Sequence, residues 1–256
     1  MGDIFAPIEV PRFVSHRGYR PLAPDNSLPG FVHAGRLGQW AIETDVHVSR
    51  DGVPVCCHDA TVDATYDGEG RIDEMTWAEL SRLRLRTGNR VECLDDDERR
   101  MPLFTEYLAI CRASGSVPFI ELKMPEVEPV LRAAREVGVG AEEMVMSSFE
   151  LPWLEAARAL TPGLFLHHIF CDDAAQERLA SLGHAGLSWN VKDPTDLSPE
   201  PVAQAHAMGL KVCLRSVDSL EQVQQILALG LDYVPTNTMH PRLHVGPPVP
   251  ASPRQS

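Results

Sequence analysis

The sequence predicts a single-domain (β/α)8 barrel, the TIM-barrel fold. Short apolar runs rich in Val, Ile and Phe alternate with amphipathic stretches along the chain, which is typical of repeated βα units. Eight such units lie within residues 1–239, a length that suits a closed barrel of parallel strands. An open parallel sheet is the alternative, but neither a GxGxxG turn nor a P-loop follows the first apolar run. The closed barrel is therefore favoured.

Nine segments have the pattern of β-strands. Eight of them alternate with helical stretches and form the predicted barrel, and Val53–Cys57 is an additional strand-like segment. The eight barrel strands are predicted at Phe13–Ser15, Ala41–Val48, Val117–Leu122, Met144–Ser147, Leu164–Ile169, Gly186–Trp189, Leu210–Leu214 and Asp232–Pro235.

The helices between these strands are marked by their ends. The stretches from Thr76 to Glu79 and from Ser219 to Gln222 have the form of a capping box, which satisfies free backbone amides at a helix start. A glycine between a helical stretch and the next apolar run is typical of a left-handed helix C-cap. The glycines in such positions are Gly115, Gly138, Gly183, Gly209 and Gly230.

Two regions are predicted to lie outside the regular βα pattern. Residues 86–100 include four consecutive acids, Asp95–Glu98, and are interpreted as a solvated loop. Residues 240–256 include five prolines and are predicted to form a poorly ordered C-terminal tail. No other domain boundary is visible, so residues 1–239 are interpreted as one domain.

The composition narrows the choice of partners and location. Among 256 residues, 36 are acidic and 23 are basic, a net charge of −13 that argues against nucleic acid as a partner. No segment approaches the roughly 20 apolar residues of a membrane helix, and the N-terminus lacks the apolar run of a signal peptide. We therefore expect a cytoplasmic protein that does not insert stably into a membrane. The sequence does not determine its oligomeric state. The six cysteines lack CxxC spacing and are expected to be buried free thiols.

Carboxylates cluster at the predicted carboxyl ends of the early strands, where barrel active sites form. Glu43 and Asp45 are two residues apart, so both side chains project from one face of a strand, which in a barrel is the inside. With Glu121 they offer three oxygen ligands for a divalent ion, Mg²⁺ or Ca²⁺. No His or Cys pair has the spacing of zinc ligands. The alternative is that these acids pair with Arg17 and Lys123 in a polar barrel mouth.

Two histidines accompany the carboxylates. His16 ends the first strand and His58 ends the additional strand-like segment, and imidazole transfers protons near neutral pH, so they predict an acid–base pair. Arg17 and Lys123 add positive charge suited to a phosphoryl oxygen, which indicates phosphoryl chemistry. Seven further histidines lack this context and are interpreted as structural, although His167 or His168 could face the mouth. These seven are His33, His167, His168, His184, His206, His240 and His244.

The chain resembles the glycerophosphodiester phosphodiesterases in an ordered set of motifs that covers nearly its whole length. The motifs are His16-Arg17-Gly18, Pro24-Asp25-Asn26-Ser27, Ile42-Glu43-Thr44-Asp45-Val46, Asp51-Gly52, His58-Asp59, Phe119-Ile120-Glu121-Leu122-Lys123, Ser147-Ser148-Phe149 and Gly230-Leu231-Asp232-Tyr233-Val234.

This resemblance implies a TIM barrel that hydrolyses a small-molecule glycerophosphodiester, such as a deacylated phospholipid, to glycerol 3-phosphate and an alcohol. It also implies a role for each matching residue. The acid–base pair falls on His16 and His58, the ligands of Mg²⁺ or Ca²⁺ on Glu43, Asp45 and Glu121, and the phosphate contacts on Arg17 and Lys123.

The chain departs from the family pattern near the expected substrate end of the site. Pro24-Asp25-Asn26-Ser27 replaces the usual Pro-Glu-Asn-Thr, and either Asn26 or Ser27 is expected to cap a helix. Arg215-Ser216-Val217-Asp218 replaces Trp-Thr-Val-Asn, and Thr236-Asn237 replaces Thr-Asp. Arg215 is therefore a candidate substrate-binding residue. It could hold an anionic headgroup or pair with Asp218, and the internal pair is favoured.

Several alternatives stay open at this level. The attacking oxygen could belong to water or to a glycerol hydroxyl, which would give a cyclic phosphate, and either histidine could be the base. A phospholipase-D-like or inositol-lipid phosphodiesterase on a related barrel is a second possible function. A third is a catalytically idle barrel that binds metal and phosphodiester without turnover.

Overall fold

The strands form where the apolar runs predict them. The structure is a computed structural model that describes residues 3–8 and 10–243. Each strand boundary lies within two residues of the predicted one. The strands are β1 Phe13–Ser15, β2 Ala41–Val48, β3 Pro54–Cys56, β4 Val117–Leu122, β5 Val145–Ser148, β6 Phe165–His168, β7 Ala185–Trp189, β8 Lys211–Leu214 and β9 Val234–Thr236.

The prediction of a parallel barrel is confirmed. Eight strands follow one another in the order β8-β7-β6-β5-β4-β2-β1-β9, and β3 pairs antiparallel with β2. Backbone hydrogen bonds join the two ends of this order: Asp232 N–H donates to the Val212 carbonyl and Val217 N–H to the Pro235 carbonyl, each at 2.9 Å. The open-sheet alternative is therefore excluded, and the carboxyl ends of the strands share one rim.

Helices connect the strands, and their ends agree with the sequence signals. Thr76 and Glu79 form the predicted capping box, and the Ser219 side chain accepts from the Gln222 N–H. The five predicted C-cap glycines have positive φ, from 64 to 80°. The α-helices of the described residues are α1 Leu28–Arg36, α2 Trp77–Leu80, α3 Phe104–Ser114, α4 Val127–Glu136, α5 Leu151–Leu160, α6 Asp173–Leu182, α7 Pro199–Ala207 and α8 Leu220–Ala228.

The barrel interior is apolar at one end and polar at the other. Ala41 and Phe119 belong to a buried apolar cluster near the amino ends of the strands. Two residues further along the same strands, Glu43 and Glu121 line a cavity at the carboxyl ends. Because inward positions alternate along a barrel strand, the apolar layer closes the barrel beneath the polar one. The polar residues therefore rest on a layer of packed apolar side chains.

The segment between β3 and α3 packs around its own small core, which includes Val55, Tyr66, Leu80 and Met101. Within it, residues 86–100 are mostly exposed, as predicted for a solvated loop.

Three further expectations concern the rest of the chain. Five cysteines are buried free thiols as predicted, but Cys93 is exposed because it lies in that solvated loop. None of the helices in the described part of the chain is long and apolar enough to cross a bilayer. Of the predicted tail, residues 244–256 lie outside the described residues.

Candidate active site

The carboxyl ends of the strands surround a cavity of about 490 Å³. Seven of the eight predicted site residues line it, and the eighth, Asp45, is fully buried in contact with two of them. The seven lining residues are His16, Arg17, Glu43, His58, Glu121, Lys123 and Arg215. The structure thus brings together all eight residues from the ends of five strands.

Glu43, Asp45 and Glu121 form a buried carboxylate cluster. One oxygen of each lies within 4.8 Å of the others, and each residue is at most 7% exposed. The strand register produces this proximity, because β2 and β4 pair with Asp45 opposite Glu121. Glu43 Oε1 is buried without a hydrogen-bond partner among the described residues. Three close carboxylates, one of which has an oxygen with neither a hydrogen bond nor an ion pair among the described residues, fit a hard divalent cation such as Mg²⁺ or Ca²⁺.

The three carboxylates differ in electrostatic environment. Burial raises the pKa of Glu43 well above its usual value, and the neighbouring Asp45 and Glu121 raise it further. Burial also raises the pKa of Glu121, with Asp45 adding to this effect and Lys123 opposing it. Burial alone would raise the pKa of Asp45, but Lys123 and Arg17 outweigh burial, so this pKa is lowered. The cluster therefore concentrates negative charge on Asp45.

Arg17 and Lys123 hold this charge from two sides. Arg17 Nε lies 3.0 Å from Asp45 Oδ2, and Lys123 Nζ lies 3.1 Å from Asp45 Oδ1 and 2.5 Å from Glu121 Oε1. The ion pairing considered as an alternative for these acids is therefore present. It does not account for the whole cluster, because Glu43 Oε1 has no such partner in the described part of the chain.

The backbone after β1 forms a left-handed turn that serves the cluster. Arg17 has φ of 57° and Gly18 of 84°, and the turn directs the Arg17 N–H to Glu43 Oε2 at 2.7 Å. A Cβ atom on Gly18 would lie 2.8 Å from the carbonyl carbon of Gly30 in α1. The positive φ favours glycine at position 18, and the close approach to the backbone of α1 requires it. The motif His16-Arg17-Gly18 is thus explained by backbone geometry as well as by side-chain chemistry.

Asn26 binds the cluster although sequence reasoning proposed it only as a helix cap. Its Nδ2 donates to Asp45 Oδ2 at 2.8 Å, and its Oδ1 accepts from Thr44 Oγ1 at 2.8 Å. Ser27 performs the capping, because its Oγ accepts from the Gly30 N–H at 3.2 Å. The motif Pro24-Asp25-Asn26-Ser27 marked Asn26 as a residue of interest. Because Asn26 lies next to a helix start, the sequence favoured a capping role over a contact with Asp45.

His16 is oriented by an amide. Its Nδ1 lies 2.9 Å from Asn237 Oδ1, and Asn237 Nδ2 donates to Asp218 Oδ2 at 2.7 Å. Because the amide nitrogen faces Asp218, the amide oxygen accepts from a protonated Nδ1 of His16. Nε2 is then the unprotonated nitrogen of the neutral ring. Burial lowers the pKa of His16 and Arg17 lowers it further, while the bond to Asn237 opposes the shift.

His58 is oriented by a carboxylate. Its Nδ1 lies 2.7 Å from Asp59 Oδ1, and its side chain is 43% exposed. His47 supports the backbone here, since its Nε2 lies 3.3 Å from the His58 carbonyl oxygen. Burial lowers the pKa of His47. Sequence reasoning missed His47. The two-residue period of β2 could have indicated it, because residues 43, 45 and 47 point to the same face of the strand.

The opposite wall of the cavity comes from the strands β5 to β8. Phe149 and Phe170 meet edge to face with ring centroids 5.3 Å apart. Arg215 lines this wall, but the predicted pair with Asp218 is wrong. Asp218 instead accepts from the Asn237 backbone N–H at 2.7 Å, because the end of β9 places its donors against this carboxylate. Arg20, which the sequence analysis did not select, also lines the cavity.

The remaining histidines lie mostly outside the site. His167 lines the cavity and His168 does not. Tyr233 Oη lies 2.5 Å from His167 Nδ1, and burial, with His168 adding, lowers the pKa of His167 to about 3. It is therefore neutral. His33, His184, His206 and His240 are absent from the cavity wall, and His244 lies outside the described residues.

The barrel, the buried carboxylates, the two histidines and the cationic side chains at the mouth define a TIM-barrel enzyme suited to phosphoester chemistry. The chain belongs to the glycerophosphoryl diester phosphodiesterase family, whose model matches residues 16–240.

Known relatives agree with this assignment. The chain is 26% identical over 236 residues to the glycerophosphodiester phosphodiesterase of Caldanaerobacter subterraneus subsp. tengcongensis, covering 88% of this chain and 93% of that protein. It is 34% identical over 110 residues to glycerophosphodiester phosphodiesterase 1 of Rattus norvegicus, covering 43% of this chain and 33% of the rat protein. The match thus spans about a third of that mammalian relative's length.

A solved structure resembles the barrel closely. It is that of an Oleispira antarctica phosphodiesterase in complex with the product sn-glycerol-3-phosphate. The TM-score is 0.75 at 28% sequence identity, and the match covers 89% of this chain and 93% of that one.

Proposed function

We propose that this protein hydrolyses a glycerophosphodiester to glycerol 3-phosphate and an alcohol. One observation carries the proposal: a single cavity holds the buried carboxylate cluster and two histidines. His16 is hydrogen-bonded to an amide and His58 to a carboxylate. Membership of the family supports it. So does the sn-glycerol-3-phosphate bound by the Oleispira antarctica relative. The substrate is then a small molecule rather than a nucleic acid or a membrane surface.

The carboxylates and cations are proposed to hold the phosphodiester. Glu43, Asp45 and Glu121 would bind a divalent ion, and their all-oxygen donor set favours Mg²⁺ or Ca²⁺. Such an ion, when bound, polarises a phosphoryl oxygen. Arg17 and Lys123 donate N–H groups to the phosphoryl oxygens. Both are held by Asp45 in advance, so little reorganisation is needed when the substrate arrives.

We assign His16 as the general base and His58 as the general acid. Burial and the adjacent Arg17 favour the neutral ring of His16, and Asn237 leaves its Nε2 free to take the proton of the attacking oxygen. A carboxylate partner, Asp59, suits a ring that must carry a proton to the departing alkoxide. The attacking oxygen belongs either to water or to a glycerol hydroxyl, and the second route needs a later hydrolysis of the cyclic phosphate.

Release of glycerol 3-phosphate from a panel of glycerophosphodiesters tests the proposal. We expect turnover with Mg²⁺ or Ca²⁺ and its loss in EDTA. His16→Ala and His58→Ala should each lower kcat by about 10² to 10⁴, the usual contribution of a positioned proton donor or acceptor. His33→Ala changes a histidine outside the cavity and should leave kcat unchanged.

Three results would contradict this proposal. Near-normal turnover of either cavity-histidine variant would remove the acid–base assignment. Cleavage of intact phospholipid in vesicles, without release from the deacylated panel, would indicate a membrane-lipid phosphodiesterase. Binding of metal and diester without turnover would indicate an idle barrel. The cytoplasmic location stays a prediction from the sequence.

A further inference from the structure

We propose that the cavity selects glycerophosphodiesters whose second alcohol carries its own negative charge, and that Arg215 binds this second anionic group. The group is a carboxylate or a phosphomonoester, both of which a guanidinium binds through paired N–H donors. This inference rests on the proposed function and names the class of substrate within it. It follows from how the cationic side chains of the cavity are partnered.

Four cationic side chains line the cavity, and three of them already have carboxylate partners. Arg17 and Lys123 are paired with the buried cluster through Asp45. Arg20 donates from Nε and Nη2 to Asp25, at 2.9 and 2.5 Å. These three cations therefore balance acids of the protein itself, and two of them adjoin the site proposed for the diester phosphate.

Arg215 is the exception among them. It follows β8 on the cavity wall and is exposed, and it makes neither a hydrogen bond nor an ion pair with any described residue. A guanidinium stays charged at all relevant pH values. The cavity therefore has one positive charge that no group of the described protein neutralises.

The nearest acid in sequence, Asp218, is occupied elsewhere. It accepts from Thr236 Oγ1 at 3.0 Å, from Asn237 N–H and Nδ2 at 2.7 Å each, and from Thr238 Oγ1 at 3.3 Å. Four donors at these distances fix both of its oxygens toward the end of β9. Asp218 is thus committed to the end of β9, where it holds Asn237 against His16, and it makes no ion pair with Arg215.

The aromatic wall does not favour a cationic headgroup instead. Phe149 and Phe170 could attract an ammonium group through their ring faces. However, Lys123 Nζ already lies 6.0 Å from the Phe149 ring centroid, and Phe170 meets that ring edge to face. A substrate ammonium would be repelled by both Lys123 and Arg215. An anionic group avoids this repulsion and pairs with Arg215.

A series of diesters matched in size tests the inference. Glycerol phosphate is esterified to four two-carbon alcohols: ethanolamine, ethylene glycol, glycolate and 2-hydroxyethyl phosphate, which carry a cation, no charge, a carboxylate and a phosphomonoester. All release the same product, glycerol 3-phosphate. We expect kcat/KM to be about tenfold higher for the better anionic ester than for the neutral one, the effect of one hydrogen-bonded charge. The ethanolamine ester should be the slowest.

Arg215→Gln should remove this preference. The variant is expected to lose about tenfold in kcat/KM for the anionic esters while the neutral ester changes less than twofold. Arg215→Lys should retain part of the preference, because it keeps the charge without the paired donors. Arg132→Gln is the matched control, since Arg132 is an exposed arginine of α4 outside the cavity, and it should change none of the four rates.

The outcomes separate this inference from the proposed function. Release from all four esters at rates that Arg215→Gln does not alter selectively would overturn the inference and leave the proposed function in place. A wild-type preference for the ethanolamine ester would do the same. Release from none of the four, while the protein still folds and binds metal, would contradict both. A preference confined to one anionic ester would support the inference and show which of the two groups Arg215 binds.

Discussion

His16 and Asn237 are 221 positions apart in the chain and meet at a hydrogen bond of 2.9 Å. Asn237 is held in turn by two bonds to Asp218, each of 2.7 Å. The negative charge is thus one hydrogen bond removed from the imidazole, whose hydrogen-bond partner among the described residues is a neutral amide. The usual family motifs, Trp-Thr-Val-Asn and Thr-Asp, place an Asn where this chain has Asp218 and an Asp where it has Asn237. The acid and the amide have therefore changed places in this chain. A neutral amide orients the ring while favouring its protonated form less than a carboxylate in contact would.

The double substitution Asp218→Asn/Asn237→Asp restores the family's usual residues at both positions. It should move the acid limb of the profile of kcat/KM against pH to higher pH. The exchange keeps the total charge but puts the carboxylate against His16 Nδ1, where it stabilises the protonated ring and raises its pKa. A base works only when unprotonated, so activity at a given acidic pH falls. The measurement is kcat/KM against pH for both proteins.

Asp218→Asn alone is the control for this exchange, because it removes the charge without moving it toward His16. It should leave the acid limb at the wild-type pH or slightly below. An acid limb unchanged in the double variant, with normal activity at neutral pH, would mean that a group other than His16 controls it.

At the scale of residues, sequence alone identified the groups that lie at strand ends in recognisable motifs and missed individual hydrogen bonds between distant parts of the chain. Glu43 and Asp45 follow from the two-residue period of a strand. Asn237 as a partner of His16 does not, because nothing near position 16 or 237 reveals the contact. The Arg215–Asp218 pair failed for the opposite reason. Sequence proximity favoured it, whereas the end of β9 supplies the donors that Asp218 binds.

The two strands that carry the carboxylates are joined by a side chain from α3. Tyr107 is fully buried, its hydroxyl donates to the Ile42 carbonyl at 2.6 Å, and it accepts from the Phe119 N–H at 2.9 Å. The phenolic hydroxyl thus bridges the backbones of β2 and β4. It binds β2 one residue before Glu43 and β4 two residues before Glu121. The helix therefore contributes to the spacing of the cluster.

Tyr107→Phe should lower the free energy of unfolding by about 2 kcal/mol, because it leaves a buried N–H and a buried carbonyl without a partner. Urea denaturation measures this loss. Tyr66→Phe is the matched control: Tyr66 is equally buried and makes no such bond to the described sheet, so a loss well under that of Tyr107 is expected. Equal losses in the two variants would indicate that the ring packing, not the hydroxyl, carries the effect.

At the scale of elements the sequence was a good guide. Apolar runs located the strands, and glycines such as Gly115 and Gly209 located helix ends, since a positive φ is a local requirement that one residue type satisfies. The hydroxyl of Tyr107 between two strands could not be predicted in the same way. Its position depends on how α3 packs on the finished barrel.

The molecule as a whole is acidic, whereas its cavity is lined by four cationic side chains. A net charge of −13 repels an anionic substrate at long range, so binding depends on charges placed inside the cavity. The buried carboxylates oppose that binding unless a cation occupies their cluster. The same three acids also repel one another in the folded protein, and they separate when the chain unfolds. Metal binding should therefore stabilise the whole fold as well as the site.

We expect Mg²⁺ or Ca²⁺ to raise the melting temperature relative to EDTA. At roughly a hundredfold excess over Kd, an ion that binds only the folded chain adds about 2.7 kcal/mol, which for a protein of this size is about 5 to 10 °C. Glu43→Gln removes a ligand and should abolish most of this rise. In EDTA it should melt no lower than the wild type, because burial and the neighbouring Asp45 and Glu121 disfavour an ionisable side chain at position 43, and glutamine is neutral. Glu136→Gln, an exposed acid at the end of α4, should keep the full rise. A rise of equal size in Glu43→Gln would show that the ion acts elsewhere on this acidic surface, and the carboxylate cluster would then lose its proposed role.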